Sequence, residues 1–314
     1  MGWSRASRMN QKSGGSVALA ALHDEALIYV RRAPANGQLH YAKKKIGEPW
    51  GPDKPLGQHF SATGASLGVL NNQLFCVHRG AGAFNEDTKL YWTTYDYRND
   101  IWSKDTPIDN AYSLETPALS DFNEIDGKQY MYCVHSAGAP ADGRLWCTKY
   151  NEGKWSQDAT ISETGHNSSC IALAFHRDKY PPREKLYCVH NVGGPTGRLT
   201  LNLSFHNGFN WIDAGPIPNR FTATICLSWH GEKLYCIRSG RPSSGADGHF
   251  FWLMIHDGER WSVDEKLPFS PGKAGGFVTN PGIAWLRGVM HFIYPHTDDL
   301  SKDKDLYQAA YTPD

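Results

Sequence analysis

Apolar and polar residues along this chain alternate in short runs, with no stretch that keeps a helical period. The runs are rich in β-branched and aromatic residues and are bounded by Gly, Pro, Asn and Asp, the pattern of strands joined by turns. One run recurs as apolar–aromatic–Cys–Val–His. It reads LFCVH ending at His78, MYCVH ending at His135 and LYCVH ending at His190. LYCIR ending at Arg238 is a fourth copy, LIYVR ending at Arg31 a degenerate fifth and MHFIY ending at Tyr294 a sixth. Successive end residues lie 47, 57, 55, 48 and 56 positions apart.

The flanks repeat as well. A small, apolar segment precedes each copy: SVALAAL, GASLGVL, TPALSDF, CIALAF, TICLSWH and PGIAWL. A loop rich in Gly, Pro and Asp follows, then an aromatic run: QLHYAKKK, KLYWTTYD, RLWCTKYN, RLTLNLSFH, HFFWLMIHD and DLYQAAYT. A fourth segment opens at Trp50, Trp102, Trp155, Trp211 or Trp261, reading WGPD, WSKD, WSQD, WIDA or WSVD. Each unit is therefore four strands over about 50 residues, and such units repeated radially are propeller blades. Chance similarity within a β-sandwich would not keep one register through six units. The sixth unit has no Trp segment of its own, whereas Gly2-Trp3-Ser4 stands before the first unit. The pattern predicts an all-β, six-bladed β-propeller of four-stranded blades over 1–314 as one domain, the last blade closed by the N-terminal strand.

Repetition also assigns structural roles. A Trp at the start of every fourth strand is expected to cover the blade edge and pack on the neighbouring blade. The Ser and Asp after it are expected to bond the strand turn. Cys76, Cys133, Cys188 and Cys236 fall at one position of the repeat, and separate blades hold such positions too far apart to bridge. They read as small buried hydrophobes. None of the seven cysteines sits in a C-x-x-C, which argues against structural zinc.

Composition narrows the partners. Lys+Arg and Asp+Glu balance at 32 each, which argues against a nucleic-acid or membrane-surface binder. No apolar run approaches the roughly 18 residues of a span, and residues 1–15 hold no apolar signal core. A cytoplasmic location is expected, or a secreted one if the chain is already processed. The sequons at Asn167-Ser168-Ser169 and Asn202-Leu203-Ser204 carry little weight without a signal peptide.

In a propeller the start of the first strand and the end of the second face one rim. Here the loops between second and third strands are long and irregular, and loops on a rigid scaffold commonly carry function. The strand-two ends form a candidate ligand-binding ring: Arg31, His78, His135, His190, Arg238 and Tyr294. The ring is polar, cationic or titratable. Two readings stand side by side: the histidines brace loop carbonyls, or the ring meets a ligand at the channel mouth. In the second case binding should change between about pH 5.5 and 7.5. Neighbouring blades hold the histidines too far apart to share an ion, so neither metal nor cofactor is predicted.

Conventional hydrolytic chemistry is missing. No carboxylate pair stands at the strand ends, as glycoside hydrolysis requires. SKDTPID from Ser103 has the Ser and Asp of the sialidase S-x-D-x-G-x-T-W box but neither its Gly nor its Trp. There is no G-x-S-x-G, H-E-x-x-H, P-loop or G-x-G-x-x-G after a strand.

Six blades, a length near 310 residues, a Trp-headed strand per blade and termini meeting in one blade make the chain resemble the fungal fucose-lectin-like superfamily over its whole length. That resemblance implies a lectin-like protein that binds glycans between blades through a recurring Arg, Glu and aromatic set. The chain departs from the set: Arg ends strand two in only two copies, and no Glu recurs on strand three. A second resemblance, with no diagnostic motif behind it, is to fungal hetero-Diels–Alderases of tropolone-sesquiterpenoid clusters. It implies a non-hydrolytic biosynthetic enzyme or cyclase with one pocket at the channel mouth, acting through proximity and electrostatics. Binder and catalyst both fit the sequence, and a protein-interaction propeller is a third class. The leading expectation is a lectin-like protein for a glycan or small polar or aromatic ligand. A lectin repeats its site between blades, whereas an enzyme uses one site with unequal residues.

Overall fold

The computed structural model describes residues 2–81, 87–137, 143–161, 170–176, 184–193, 199–222, 224–240, 250–269, 280–296 and 304–313. Among them there is no helix, and the strands assemble into six antiparallel sheets, one per blade. Blade one is Val17–Leu22, Ala26–Arg32, Gln38–Lys45 and Lys54–Phe60. Blade two is Ala65–Leu70, Gln73–Arg79 and Lys89–Asp96, with an outer edge broken into Ile101–Trp102 and Thr106–Tyr112. Blade three repeats this with Ala118–Asn123, Gln129–Ser136, Leu145–Asn151, Lys154–Trp155 and Ala159–Thr160. Blade four is Ile171–His176, Lys185–Gly193, Leu199–His206 and Trp211–Phe221. Blade five is Thr224–His230, Lys233–Gly240, Phe250–His256 and Glu265–Lys266.

Blade six contains Gly282–Leu286, Val289–His296 and Lys304–Thr312, and the N-terminus completes it. Gly2–Trp3 and Ser7–Ser13 both pair antiparallel with Lys304–Thr312, with Trp3 opposite Tyr311 and Ser13 opposite Lys304. Sheet hydrogen bonds thus cover an edge that would otherwise be exposed. The Trp residues sit against the preceding blade, as the repeat predicts. Trp102 meets Tyr41 at 5.7 Å, Trp155 meets Trp92 at 6.3 Å, Trp211 meets Tyr132 at 6.4 Å and Trp3 meets Phe269 at 5.1 Å. All seven cysteines are buried and unbridged.

The inner strands surround the axis in layers. Leu19, Leu67, Leu119, Leu173, Leu227 and Ile283 lie opposite Tyr29, Cys76, Cys133, Cys188, Cys236 and Phe292, equivalent positions of the repeat, and together they form one aliphatic ring. The residues just above are small: Ala18, Ser66, Ala118, Ala172, Cys226 and Gly282. Space at the axis is so tight that a Cβ on Gly282 would come within 2.8 Å of Leu19 Cβ. The bore encloses about 100 Å³, against roughly 300–1,000 Å³ for a small-molecule site. The bore is too narrow to enclose a ligand of that size.

Strand two runs past the residues that the repeat suggested as its ends. It continues to Arg32, Arg79, Ser136, Gly193, Gly240 and His296, because pairing with strand three persists there. The loops that follow mostly fall at 82–86, 138–142, 194–198, 241–249 and 297–303, outside the described residues, as does the sequon at Asn167.

Candidate functional site

The six ring residues lie inside the blades rather than on the rim. Arg31, His78, His135, His190, Arg238 and Tyr294 are 8, 1, 1, 2, 6 and 1% exposed. The Trp motif supplies four of them with a carboxylate. Arg31 donates through Nε and Nη2 to the two oxygens of Asp53, at 3.0 and 2.5 Å, and Arg238 reaches Asp264 at 2.5 Å. His78 Nε2 lies 3.1 Å from Asp105, and His135 Nε2 lies 3.1 Å from Asp158. These aspartates end WGPD, WSKD, WSQD and WSVD. Only half of the expected turn bonding is observed. Ser103, Ser156 and Ser262 accept the strand-three N–H of Thr94, Lys149 and Ile255 at 3.0, 3.0 and 2.9 Å. The aspartates instead face the basic residue of strand two, in a slot between blades.

The slots of blades one, two and three also reach the preceding blade. Arg31 Nη1 donates to the carbonyl of Lys12 at 2.6 Å, and His135 Nδ1 lies 3.0 Å from the carbonyl of Tyr112. His59 of blade one comes within 3.1 Å of Asp105 in blade two. Tyr294 has no such role; it stacks on Phe269 at 5.4 Å and on Tyr307 at 5.8 Å. The N-terminal motif reads Trp3-Ser4-Arg5-Ala6, so Ala6 stands where blades one, two, three and five carry Asp, and Ala6 packs into the same apolar cluster as Tyr294. Blade six thus lacks both the carboxylate and the basic residue, whereas blade four, with Ala214 at that position, keeps His190.

Above the slots, the residues leading into the inner strands form a polar collar that differs from blade to blade: Ser16, Gly64, Thr116, Cys170, Thr224 and Asn280. Ser16 and Thr116 bring their hydroxyls to 3.4 Å across blade two. Gly64 makes room for this, since a Cβ there would fall 2.8 Å from Ser16 Cβ. On the far side Cys170 Sγ donates to Asn280 Oδ1 at 3.0 Å and accepts the N–H of Ile225 at 3.0 Å. Asn191 Oδ1 accepts Cys170 N–H at 3.0 Å, and the carbonyl of Asn280 accepts Val17 N–H at 2.9 Å. Burial pushes the Cys170 thiol far above its ordinary range, so it is a hydrogen-bond donor and not a nucleophile.

Glu115 precedes Thr116 in the collar. Burial raises its carboxyl above the usual range, and the charge of Arg79 partly offsets this. Arg79 Nη1 is held by the carbonyl of Leu114 at 2.8 Å. In blade one Arg32 is fixed by the carbonyls of Ser61 and Gly14 at 2.8 and 3.2 Å. Among the described residues no cluster of His, Cys, Asp and Glu could hold a metal ion. Sequence reasoning did not select Glu115, Cys170, Asn280, Arg32 or Arg79. The signal for the first three was their place at or just before the start of a small, apolar segment, at positions where the units differ.

No protein-family model matches the chain, and no curated protein matches it in sequence. Solved structures match in shape. An α-L-arabinofuranosidase of Fusarium graminearum superposes with a TM-score of 0.66 at 11% identity, covering 95% of this chain and 92% of that one. An α-L-arabinanase of Penicillium chrysogenum, complexed with arabinobiose, gives 0.65 at 11%, covering 97% and 94%. A sialidase of Trypanosoma rangeli gives 0.61 at 11%, covering 98% of this chain and 60% of its own. At such identities the likeness establishes the six-bladed fold.

Proposed function

We propose that the protein is a lectin-like binder that takes one glycan or other small polar ligand per chain at the collar of the channel mouth. The observation that carries this reading is the contrast between slot and collar. The slots, which repeat, are filled by the protein's own Arg–Asp and His–Asp pairs. The collar, which does not repeat, gathers Ser16, Thr116, Cys170 and Asn280 above the bore, with Glu115 and Arg79 beside it. Sugar-processing structural neighbours support a carbohydrate ligand. Fucose recognition through Arg31 or Arg238 has less support, because both guanidinium groups are engaged by aspartates. On this reading the slot residues hold the collar in place from beneath. Glycan-array screening followed by titration calorimetry tests it. One site per chain is expected, with at least a roughly tenfold loss of affinity in Glu115→Gln or Asn280→Ala at unchanged melting temperature. Several equivalent sites per chain, or no binding at high concentration, would overturn it.

A second reading is the non-hydrolytic enzyme of hetero-Diels–Alderase or cyclase type, and Glu115 favours it. A carboxyl whose hold on its proton is strengthened by burial, beside the Arg79 cation, can polarise a carbonyl or quinone-methide oxygen without any nucleophile. Turnover of such a substrate that survives Cys170→Ser and falls in Glu115→Gln distinguishes it from passive binding.

A further inference from the structure

Blades two and three hold histidine in the slot where blades one and five hold arginine, and hydrogen-bond accounting constrains the state of those rings. A neutral imidazole offers one N–H and one lone pair. At His135, Nε2 faces Asp158 Oδ1 at 3.1 Å, while Nδ1 faces the carbonyls of Tyr112 at 3.0 Å and Ser136 at 3.3 Å. At His78, Nε2 faces Asp105 Oδ1 at 3.1 Å and Nδ1 faces the carbonyl of Arg79 at 3.2 Å. Every one of these partners is an acceptor. Either neutral tautomer would set a ring lone pair against an oxygen at a buried position, an arrangement that low polarity makes costly.

We propose that His78 and His135 carry both ring protons in the folded protein and serve as fixed cations equivalent to Arg31 and Arg238. The chain's own variation supports the equivalence. Where the Trp motif ends in Asp, the slot is Arg31, His78, His135 or Arg238. Where it ends in Ala6, the slot is Tyr294. Blade four stands apart: its motif ends in Ala214, its Asp213 is exposed and accepts the N–H of Gly215 at 2.8 Å, and its strand-two residue is His190.

The surroundings of each ring agree. At His78 the facing groups are Asp105, His59, Tyr91 stacked at 6.0 Å and the buried Cys76 thiol. His59 is the neutral neighbour: burial lowers its affinity for a second proton, its Nε2 lies 3.0 Å from the carbonyl of Ser103, and its Nδ1 has no partner. The His59 N–H is thus taken by the Ser103 carbonyl, and the hydrogen bond to Asp105 Oδ1 comes from His78 Nε2. At His135 the charged partner is Asp158, beside the Cys133 and Cys147 thiols, which burial pushes up.

Nitrogen-15 NMR of the histidine rings of the whole chain at about pH 7.5, a unit above the usual imidazole midpoint of about 6.5, tests the proposal directly. His78, assigned through contacts with Tyr91, and His135 should each show two protonated nitrogens, and His59 one protonated and one bare. A bare nitrogen on His78 or His135 overturns the proposal.

Discussion

Blades five and six open their outer strands with the same two residues and then diverge. Ser262 N–H donates to the carbonyl of Ile255 at 2.7 Å, and Ser262 Oγ accepts the N–H of the same residue at 2.9 Å. Ser4 does the same with Ala310, at 2.7 and 2.9 Å, although the partners lie at opposite ends of the chain. Two positions further on, blade five supplies Asp264 to Arg238, while blade six supplies Ala6 beside Tyr294. The Trp-Ser pair is thus a backbone lock that works with either slot. The slot charge is a separate unit, and in blade six its two members are exchanged together. Removing one partner of a buried ion pair is costly, whereas replacing both by packed apolar groups is often nearly neutral.

The largest expected effect comes from removing the N-terminal strands. Deletion of residues 1–9 takes away Trp3, which packs on Phe269 and Tyr311 at 5.1 Å each, together with part of the edge pairing of blade six. Truncation of a buried Trp alone costs about 3–5 kcal/mol, against a typical total of about 5–15 kcal/mol. Scanning calorimetry should show a broadened transition or none; an unchanged melting temperature would leave blade six closed by something other than these strands.

Next comes the conversion of blade five into blade six. Asp264→Ala should cost about 3 kcal/mol by leaving Arg238 without its carboxylate. Adding Arg238→Tyr should recover most of that loss, because blade six already works with Tyr294 and Ala6. A double variant no more stable in urea than Asp264→Ala would refute the paired-unit reading.

The smallest effect separates the blades by acid. Burial lowers the ring midpoint of His256 in blade five, and pushes that of His291 in blade six down to about 4. A ring held neutral in the fold stabilises above the ordinary midpoint of about 6.5, and its contribution is lost as pH falls toward 4. Stability between these values should decline less steeply in His291→Gln than in the wild type, while His256→Gln retains most of the slope contributed by blade six. Parallel curves for His291→Gln and wild type would show that the buried ring does not govern the acid limb.

The repeat revealed what each blade must solve in the same way. Cys76, Cys133, Cys188 and Cys236 were readable as buried because one position carries one residue type in four units, and Trp3 was readable as an outer strand because the sixth unit lacked its Trp. The same repetition drew attention to His78, His135 and His190, and there it signalled packing: a residue needed in blade after blade is one that the blade itself requires. The collar escaped notice for the converse reason. Glu115, Cys170 and Asn280 belong to no motif, because a single mouth on the axis asks something different of every blade.

Blade number, strand order and closure by the N-terminus were determined by the sequence alone, since strand period, turn residues and edge pairing are local or repeat at fixed intervals. The partners of the polar groups were decided only by the tertiary structure. Ser16 meets Thr116 across 100 positions and Cys170 meets Asn280 across 110, because ring closure brings the starts of inner strands from non-adjacent blades to one axis. The Asp that ends WGPD, WSKD, WSQD or WSVD could have faced solvent at its turn. It meets the Arg or His of strand two instead, in a slot between blades where a polar group without a partner would be costly.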